Sequence, residues 1–291
     1  MTILNEICPV CSSDLSAGYR SWHFVCKRCG LEKANFQSTI NLPSAHQLID
    51  EEERESGLKE LRLCNFKKLL ARIRFLKPNN GRLLDVGCAH GWFLEVAGND
   101  FDVLGLEPDK LVFDATLRRG LAVRKGYFPD ALDESEKFDI IIFNDVIEHI
   151  PDIKHIFESC SQRLNNDGLL VLNLPSSNGI FYRTSKILCR IGLPVFFERL
   201  WQKDLPSPHL YYFNQFNLIN LLEASGFEVK EKGTLSTMRM AGLYTRISYT
   251  GKLNIVARLF VYACVAIVLP LFKLLPSDII YVISTRKEGR E

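Results

Sequence analysis

The segment that most restricts the fold of this chain is RLLDVGCAHGWFLEVAG, Arg82 to Gly98. An apolar strand runs into a glycine turn and then into the start of a helix, so Asp85, Gly87 and Gly91 lie where strand becomes helix. Glycine lets backbone approach a ligand, and the free N–H groups of a helix start favour a polar or anionic group. A bare structural turn would carry the same glycines, so the context decides. The next strand, FDVLGLEP, ends in Glu107. The step from Asp85 to Glu107 is close to that at which a parallel βαβ unit offers a carboxylate to ribose hydroxyls, and it predicts nucleoside binding.

The pattern continues. A third strand is expected around LAVRKGYF, a fourth in KFDIIIFNDVIEHI and a fifth over Leu169 to Leu174 after the turn in LNNDG. Strands alternating with helical stretches predict an α/β fold, a doubly wound parallel sheet with its ligand at the carboxyl ends of the strands. Ahead of it, an acidic linker and then an amphipathic helix through Leu58, Leu61, Phe66, Leu69, Leu70, Ile73 and Leu76 end before Pro78 and Gly81.

The series LLDVGCAHGWFLE, LGLEP, FDIIIFNDVIEHIPD, LNNDGLLVLNLP and HLYYFN…LINLLEASGF resembles the class I S-adenosylmethionine-dependent methyltransferases, in particular their ubiquinone-type and sugar-modifying members. The resemblance runs from about Gly81 to Arg286. It implies a Rossmann-like sheet of seven strands whose last, DIIYVISTR, is antiparallel. It also implies that Asp85, Gly87 and Gly91 flank the methionine part of the cofactor and that Glu107 holds the ribose. Tyr127 or Phe128 falls where the family packs the adenine, and Asn144 with Asp145 falls near the sulfonium. The chain departs from the family at Ala89, where a glycine is usual.

Nine cysteines are present, four of them in two pairs, Cys8-Pro-Val-Cys11 and Cys26-Lys-Arg-Cys29, with Ser12 to Val25 between them. Two residues between thiols let both thiolates reach one tetrahedral ion, so a structural Zn²⁺ in a small N-terminal ribbon is expected. Tyr19, Trp22, His23 and Phe24 between the pairs read as the ribbon's own core; a docking surface for RNA, a partner or the main domain is the alternative.

Methyl transfer to a hydroxyl or carbon acid needs a base, and histidine suits that task near neutral pH. His209, in LPSPHLYYFN, lies where the resemblance places acceptor-contacting residues and is the first candidate. His149, after the fourth strand, is the second, with capping of the next turn as its structural alternative. Glu148 and His149 are two ligands for a divalent cation without a third. His90, inside the glycine turn, is read as a cofactor or solvent contact.

Two apolar segments follow, Phe181 to Gln202 and Asn254 to Pro276. In the second, the stretch free of charge runs only from Leu259 to Phe272, short of the roughly 20 residues that a spanning helix needs. The first mixes Arg183, Lys186, Arg190 and Arg199 with Ile187, Leu188, Ile191, Phe196, Phe197, Leu200 and Trp201, as expected of a helix lying in a headgroup interface. A cap over the pocket or a homodimer interface is the alternative.

With 36 Lys and Arg against 34 Asp and Glu, the charge balance argues against a nucleic-acid partner. No basic stretch followed by a long apolar run opens the sequence, so a cytoplasmic chain is expected, in peripheral contact with the membrane if the apolar segments serve that role.

The residues divide as a four-cysteine zinc ribbon over 1–35, linker and helix over 36–80, and a methyltransferase domain over 81–291 with insertions around 176–215 and 234–276. The expected activity is O- or C-methylation of a small or lipid-linked acceptor: a sugar nucleotide, a polyprenyl-linked saccharide of surface-polysaccharide synthesis or a quinone precursor. The alternatives are an RNA methyltransferase gripping its substrate with the ribbon, and a non-catalytic scaffold that binds the cofactor.

Overall fold

The structure is a computed structural model describing residues 7–40, 51–78, 80–238 and 275–287, with a few positions between 254 and 263. Most of the apolar segment from Asn254 to Pro276 lies outside the described residues, as does much of the 234–276 insertion. Among the described residues no helix is long and apolar enough to cross a membrane.

Three short strands open the chain: β1 (Leu15–Ala17), β2 (His23–Cys26) and β3 (Glu32–Ala34). After α1 (Glu51–Leu76) come β4 (Arg82–Val86), α2 (Trp92–Ala97), β5 (Asp102–Glu107), α3 (Lys110–Arg118), β6 (Val123–Lys125) and β7 (Phe138–Asn144). Then follow α4 (Ile153–Arg163), β8 (Leu164–Pro175), α5 (Ile180–Arg190), α6 (Val195–Leu200), β9 (Tyr211–Tyr212), α7 (Gln215–Ala224), β10 (Phe227–Leu235) and β11 (Ile279–Arg286). α1 begins inside the acidic stretch that the sequence suggests is linker, because Glu and Arg are good helix formers and nothing before Pro78 breaks the run.

The main sheet has seven strands in the order β10-β11-β8-β7-β4-β5-β6. β4, β5, β6, β7 and β8 run parallel, and β11 is inserted antiparallel between β8 and β10. The expected seven-stranded sheet with an antiparallel last strand is therefore the observed one. β7 is apolar on both faces because helices cover both: Ile140, Ile141, Ile142 and Phe143 have no exposed surface. Burying each such side chain stabilises the fold by about 1.5–3 kcal/mol relative to exposure. β10, at the edge, alternates instead, with Glu228, Lys230 and Lys232 outward. Charges there discourage pairing with another chain.

The ribbon is not a separate bead. Its sheet is completed by β9 of the 176–215 insertion, which pairs antiparallel with β3. Nor are its aromatic residues its own core: Trp22 packs into one cluster with Tyr182, Phe197, Trp201 and Tyr212. Trp22 and Phe197 stack with centroids 5.7 Å apart.

Beneath this cluster, buried Glu32 accepts hydrogen bonds from His23 Nε2 at 2.8 Å, Tyr182 Oη at 2.7 Å and Lys186 Nζ at 2.7 Å. Burial opposes ionisation of Glu32, but the His23 ring and the Lys186 ammonium outweigh it and hold the carboxyl below its ordinary value. The Asn217 amide ties in the other side: Asn214 and Asn217 cap α7 reciprocally, and Asn217 Nδ2 also donates to the Cys29 carbonyl at 3.3 Å.

The segment Phe181 to Gln202 forms two helices rather than one, α5 and α6, separated at Gly192, whose φ is +90°, and Pro194. Phe197 and Trp201 are fully buried against the ribbon, whereas Ile187, Ile191, Val195 and Phe196 are exposed. Only half of the apolar face read from the sequence is thus at the surface.

Candidate active site

The turn between β4 and α2 takes its shape from three left-handed residues in alternation: Gly87 at φ +69°, Ala89 at +47° and Gly91 at +70°. A Cβ on Gly87 would stand 2.7 Å from Val146 Cγ2, and one on Gly91 would stand 2.5 Å from Leu121 Cδ1. Both positions therefore exclude a side chain on space as well as on φ. Ala89 occupies the left-handed region where the family usually has glycine. The turn around it is pinned, with Ala89 N–H donating to Glu107 Oε2 at 2.9 Å and Thr116 Oγ1–H donating to the Ala89 carbonyl at 2.9 Å.

Glu107 ends β5, and its other oxygen accepts from Asp109 N–H at 2.8 Å. Asp109 in turn caps α3, accepting from Leu111 and Val112 N–H. On the neighbouring strand Asp85 is buried, and Asn144 Nδ2 donates to its Oδ1 at 3.2 Å. Burial is the main cause that pushes the Asp85 carboxyl up to about 8; the charge of Glu107 adds to it, and Asn144 opposes it. Asn173 Nδ2 donates to Asn144 Oδ1 at 3.3 Å, so one polar chain crosses the carboxyl ends of β4, β7 and β8.

Two buried acidic side chains beside a turn that has no room for a side chain at Gly87 or Gly91 fit S-adenosylmethionine, whose sulfonium and ammonium groups supply a positive partner. Asp85, Gly87 and Gly91 would lie along its methionine part, and the Glu107 carboxylate, with up to four lone-pair directions, can also accept from ribose hydroxyls.

Asp145, after β7, has φ +54° and faces Arg62, with Arg62 Nη2 3.4 Å from its carboxylate. Tyr127 and Phe128 part ways: Tyr127 is 51% exposed, while Phe128 is buried with its ring edge-on to Phe143 at 5.8 Å. The His90 ring stacks on Trp92 at 5.3 Å.

A second cluster forms beside Asp145. Glu148 sits in a 3-10 turn, Ile147–His149, fully buried, and neither carboxylate oxygen has a hydrogen-bond partner among the described residues. Burial, followed by the charge of Asp145, raises its carboxyl well above the ordinary value; Arg62 opposes the shift. His149 Nδ1–H donates to the Pro208 carbonyl at 2.8 Å, which leaves Nε2 facing Glu148 Oε1 at 4.0 Å. His209 Nε2 lies 4.0 Å from the same oxygen and 2.9 Å from the Gln202 amide nitrogen, and the two imidazole centroids are 4.7 Å apart.

The segment that carries His209 is held there by Leu210 N–H, which donates to the Glu148 carbonyl at 2.8 Å. Glu148, His149 and His209 each offer one ligand atom, all within 4.8 Å of one another. Sequence reading stops at a two-ligand pair because the third member arrives from a distant part of the chain, beyond α4, β8, α5 and α6.

In the ribbon, Cys8, Cys11, Cys26 and Cys29 likewise present four sulfurs within 4.8 Å of one another. Cys8 and Cys29 Sγ are 3.5 Å apart, and Cys11 and Cys26 Sγ 3.4 Å.

The strand order and the glycine turn with its acidic pair define a class I methyltransferase. The chain belongs to the methyltransferase-domain family, whose model matches residues 58–232. It is similar to the ubiquinone biosynthesis O-methyltransferase of Chelativorans sp. (strain BNC1), 34% identical over 108 residues, covering 33% of this chain and 42% of that one. The corresponding mitochondrial enzyme of Bos taurus is 26% identical over 168 residues, covering 53% and 43%. That of Pelagibacter ubique (strain HTCC1062) is 28% identical over 190 residues, covering 56% and 77%. The match thus spans less than half the length of the first two relatives.

Among solved structures, an S-adenosylmethionine-dependent methyltransferase of Thermotoga maritima superposes with a TM-score of 0.54 at 16% identity, covering 83% of this chain and 97% of that one. The plantazolicin methyltransferase in complex with S-adenosylhomocysteine gives 0.54 at 10%, covering 86% and 93%. At these identities the structures speak for the fold alone.

The raised Asp85 carboxyl gives a pH test. Near neutral pH and without ligand it is mostly protonated, because its value of about 8 lies above the pH; a bound cation favours the carboxylate. Binding of S-adenosylmethionine near neutral pH should therefore release protons, and the release should fade above about pH 9, where Asp85 is already ionised. Calorimetry in buffers of different ionisation enthalpy measures it. Asp85→Asn should abolish the release, and a wild-type protein that releases none would contradict the assignment.

Proposed function

We propose that this methyltransferase acts on an oxygen or carbon of a small or lipid-linked acceptor, with His209 as general base and His149 beside it. The observation that carries this reading is the buried cluster of Glu148, His149 and His209 next to Asp145, at the carboxyl end of β7. S-adenosylmethionine supplies a methyl group already activated by its sulfonium. The protein's task is to align the acceptor and remove its proton. An imidazole that takes the proton becomes a cation beside Glu148, which favours the ionised carboxylate, so the two charges stabilise each other in the buried site.

The names of the relatives support a hydroxyl acceptor of the quinone-precursor type. The sugar-nucleotide and polyprenyl-linked alternatives rest on the segment Phe181 to Gln202, whose exposed face combines Ile187, Ile191, Val195 and Phe196 with Arg183 and Arg190. That mixed face also supports peripheral contact with a membrane.

A second reading is favoured by the Glu148 carboxylate oxygens, which have no hydrogen-bond partner among the described residues: a divalent cation bound by Glu148, His149 and His209. It would act as a Lewis acid on the acceptor hydroxyl. One assay separates the two, S-adenosylhomocysteine release over catechol, nucleotide-sugar and lipid-linked-saccharide acceptors, with and without chelator. A base at His209 predicts that His209→Ala lowers turnover on the accepted substrate by about 10²–10⁴-fold with cofactor affinity kept, and that a chelator too weak to strip the ribbon zinc has no effect. Turnover lost to that chelator with the ribbon zinc still in place, and restored by added Mg²⁺, would replace the base with the metal, and unchanged turnover in His209→Ala would overturn both.

We also infer that the ribbon holds one structural Zn²⁺ through Cys8, Cys11, Cys26 and Cys29. An all-thiolate set leaves no open position for substrate. Burial pushes the Cys8 thiol up to about 11 and Cys29 in the same direction, and a bound cation reverses that penalty. Elemental analysis should find one zinc per ribbon, lost in Cys26→Ser, and its removal should lower the melting temperature because β9 and α7 lean on the ribbon. A fully stable, zinc-free wild-type protein would contradict this.

A further inference from the structure

A cavity of about 290 Å³ opens between the ribbon, the loop after β8 and one face of α5, away from the Glu148 cluster. Its walls are Tyr19, Ser177, Asn178, Arg183, Lys186, Ile187 and Arg190. Three cations on one helix face follow from their spacing of three and seven residues.

Their partners decide the net charge. Lys186 is neutralised by Glu32 at 2.7 Å. Arg190 Nη2 donates to Tyr19 Oη at 2.7 Å, with its guanidinium 5.1 Å from the centre of that ring, so its partner is neutral. Arg183 makes no ion pair or hydrogen bond through its side chain among the described residues. Two guanidinium charges are left uncompensated, and planar guanidinium groups match phosphate oxygens in pairs. The start of α5 does not compete for an anion, because Asp278 already closes it, accepting from Tyr182 N–H at 2.9 Å. Ser177 and Asn178 add neutral polar groups to the wall.

Buried side chains stand between the cavity and the candidate base. Tyr182, on α5, stacks on Tyr212 at 4.1 Å, and Tyr212 meets the His209 ring at 5.3 Å. Ser177 N–H donates to the Phe213 carbonyl at 2.7 Å. A group docked in the cavity is thus separated from His209 by two aromatic rings. The volume lies at the lower end of small-molecule sites, enough for a head group but not for a whole extended acceptor.

We propose that this cavity is an anion site that takes a phosphate or diphosphate group, with Arg183 and Arg190 gripping it. The site stands apart from the His209 cluster, and its charge selects among ligands: an aromatic quinone precursor offers the two arginines no such charge, whereas a nucleoside-diphosphate sugar or a lipid diphosphate does.

The test is calorimetric titration of the full-length chain with inorganic pyrophosphate at moderate salt, alongside a separate titration with S-adenosylmethionine. Pyrophosphate should bind the wild-type protein. Arg183→Gln, at an exposed position with no part in packing, and Arg190→Gln should each weaken it by about tenfold or more, while S-adenosylmethionine binds as before.

No pyrophosphate binding at millimolar concentration, or unchanged binding in both variants, overturns the proposal. So does binding of phosphatidylglycerol vesicles, but not phosphatidylcholine vesicles, through the same arginines without binding of pyrophosphate, since the face would then recognise a membrane. A chain that binds pyrophosphate through the arginines but does not bind S-adenosylmethionine would keep the subsite and fail the catalytic reading.

Discussion

One carboxylate organises the turn that follows the first strand of the main sheet. Glu107 accepts from Ala89 N–H with one oxygen and from Asp109 N–H with the other. It thereby fixes the left-handed turn on one side and the start of α3 on the other. A turn built from Gly87, Ala89 and Gly91 has little intrinsic rigidity, since glycine gains no side-chain contacts and alanine is strained at positive φ. The Glu107 bonds convert it into a shaped cradle. That leaves Asp85 and Glu107 close together in a buried setting, an arrangement that calls for positive charge from a ligand. The same polar chain passes through Asn144 and Asn173, so the acidic pair and the end of β8 are set as one unit.

The second half of the structure depends on a different contact, the ribbon against the insertion. β9 both completes the ribbon sheet and ends the segment that delivers His209 to Glu148. The buried Glu32 joins His23 of the ribbon to Tyr182 and Lys186 of α5. Removing the ribbon would expose Trp201 and Phe197 and release the wall that holds His209. The ribbon is therefore built into the same wall as the Glu148 cluster, a placement its cysteines alone do not disclose.

Much of this was legible in the sequence, for stated physical reasons. The strand, turn and helix around Asp85, the acid at Glu107 and the two-sided apolar run of β7 are local patterns, and they fall where expected. The antiparallel β11 came from resemblance, since nothing in DIIYVISTR itself specifies its direction. What escaped was non-local. The meeting of His209 with Glu148 and His149 depends on long-range bonds, from Leu210 N–H to the Glu148 carbonyl and from His149 Nδ1–H to the Pro208 carbonyl. The burial of Phe197 and Trp201 depends on Trp22, far away in the chain; by composition alone they belong equally well to a lipid-facing surface. Tyr127 and Phe128 are indistinguishable as sequence neighbours, and only packing against Phe143 separates the buried ring from the exposed one.

The Glu107 carboxylate shapes the turn, and we propose that it also holds the nucleoside. Titration of S-adenosylmethionine into the wild-type chain and into Glu107→Ala, with folding of both checked by circular dichroism, tests it most directly. The account predicts one-to-one binding in the wild-type protein, weakened by about 1.5–3 kcal/mol in the variant through loss of hydrogen bonds to a charged group. Equal affinity in the two folded proteins would contradict it.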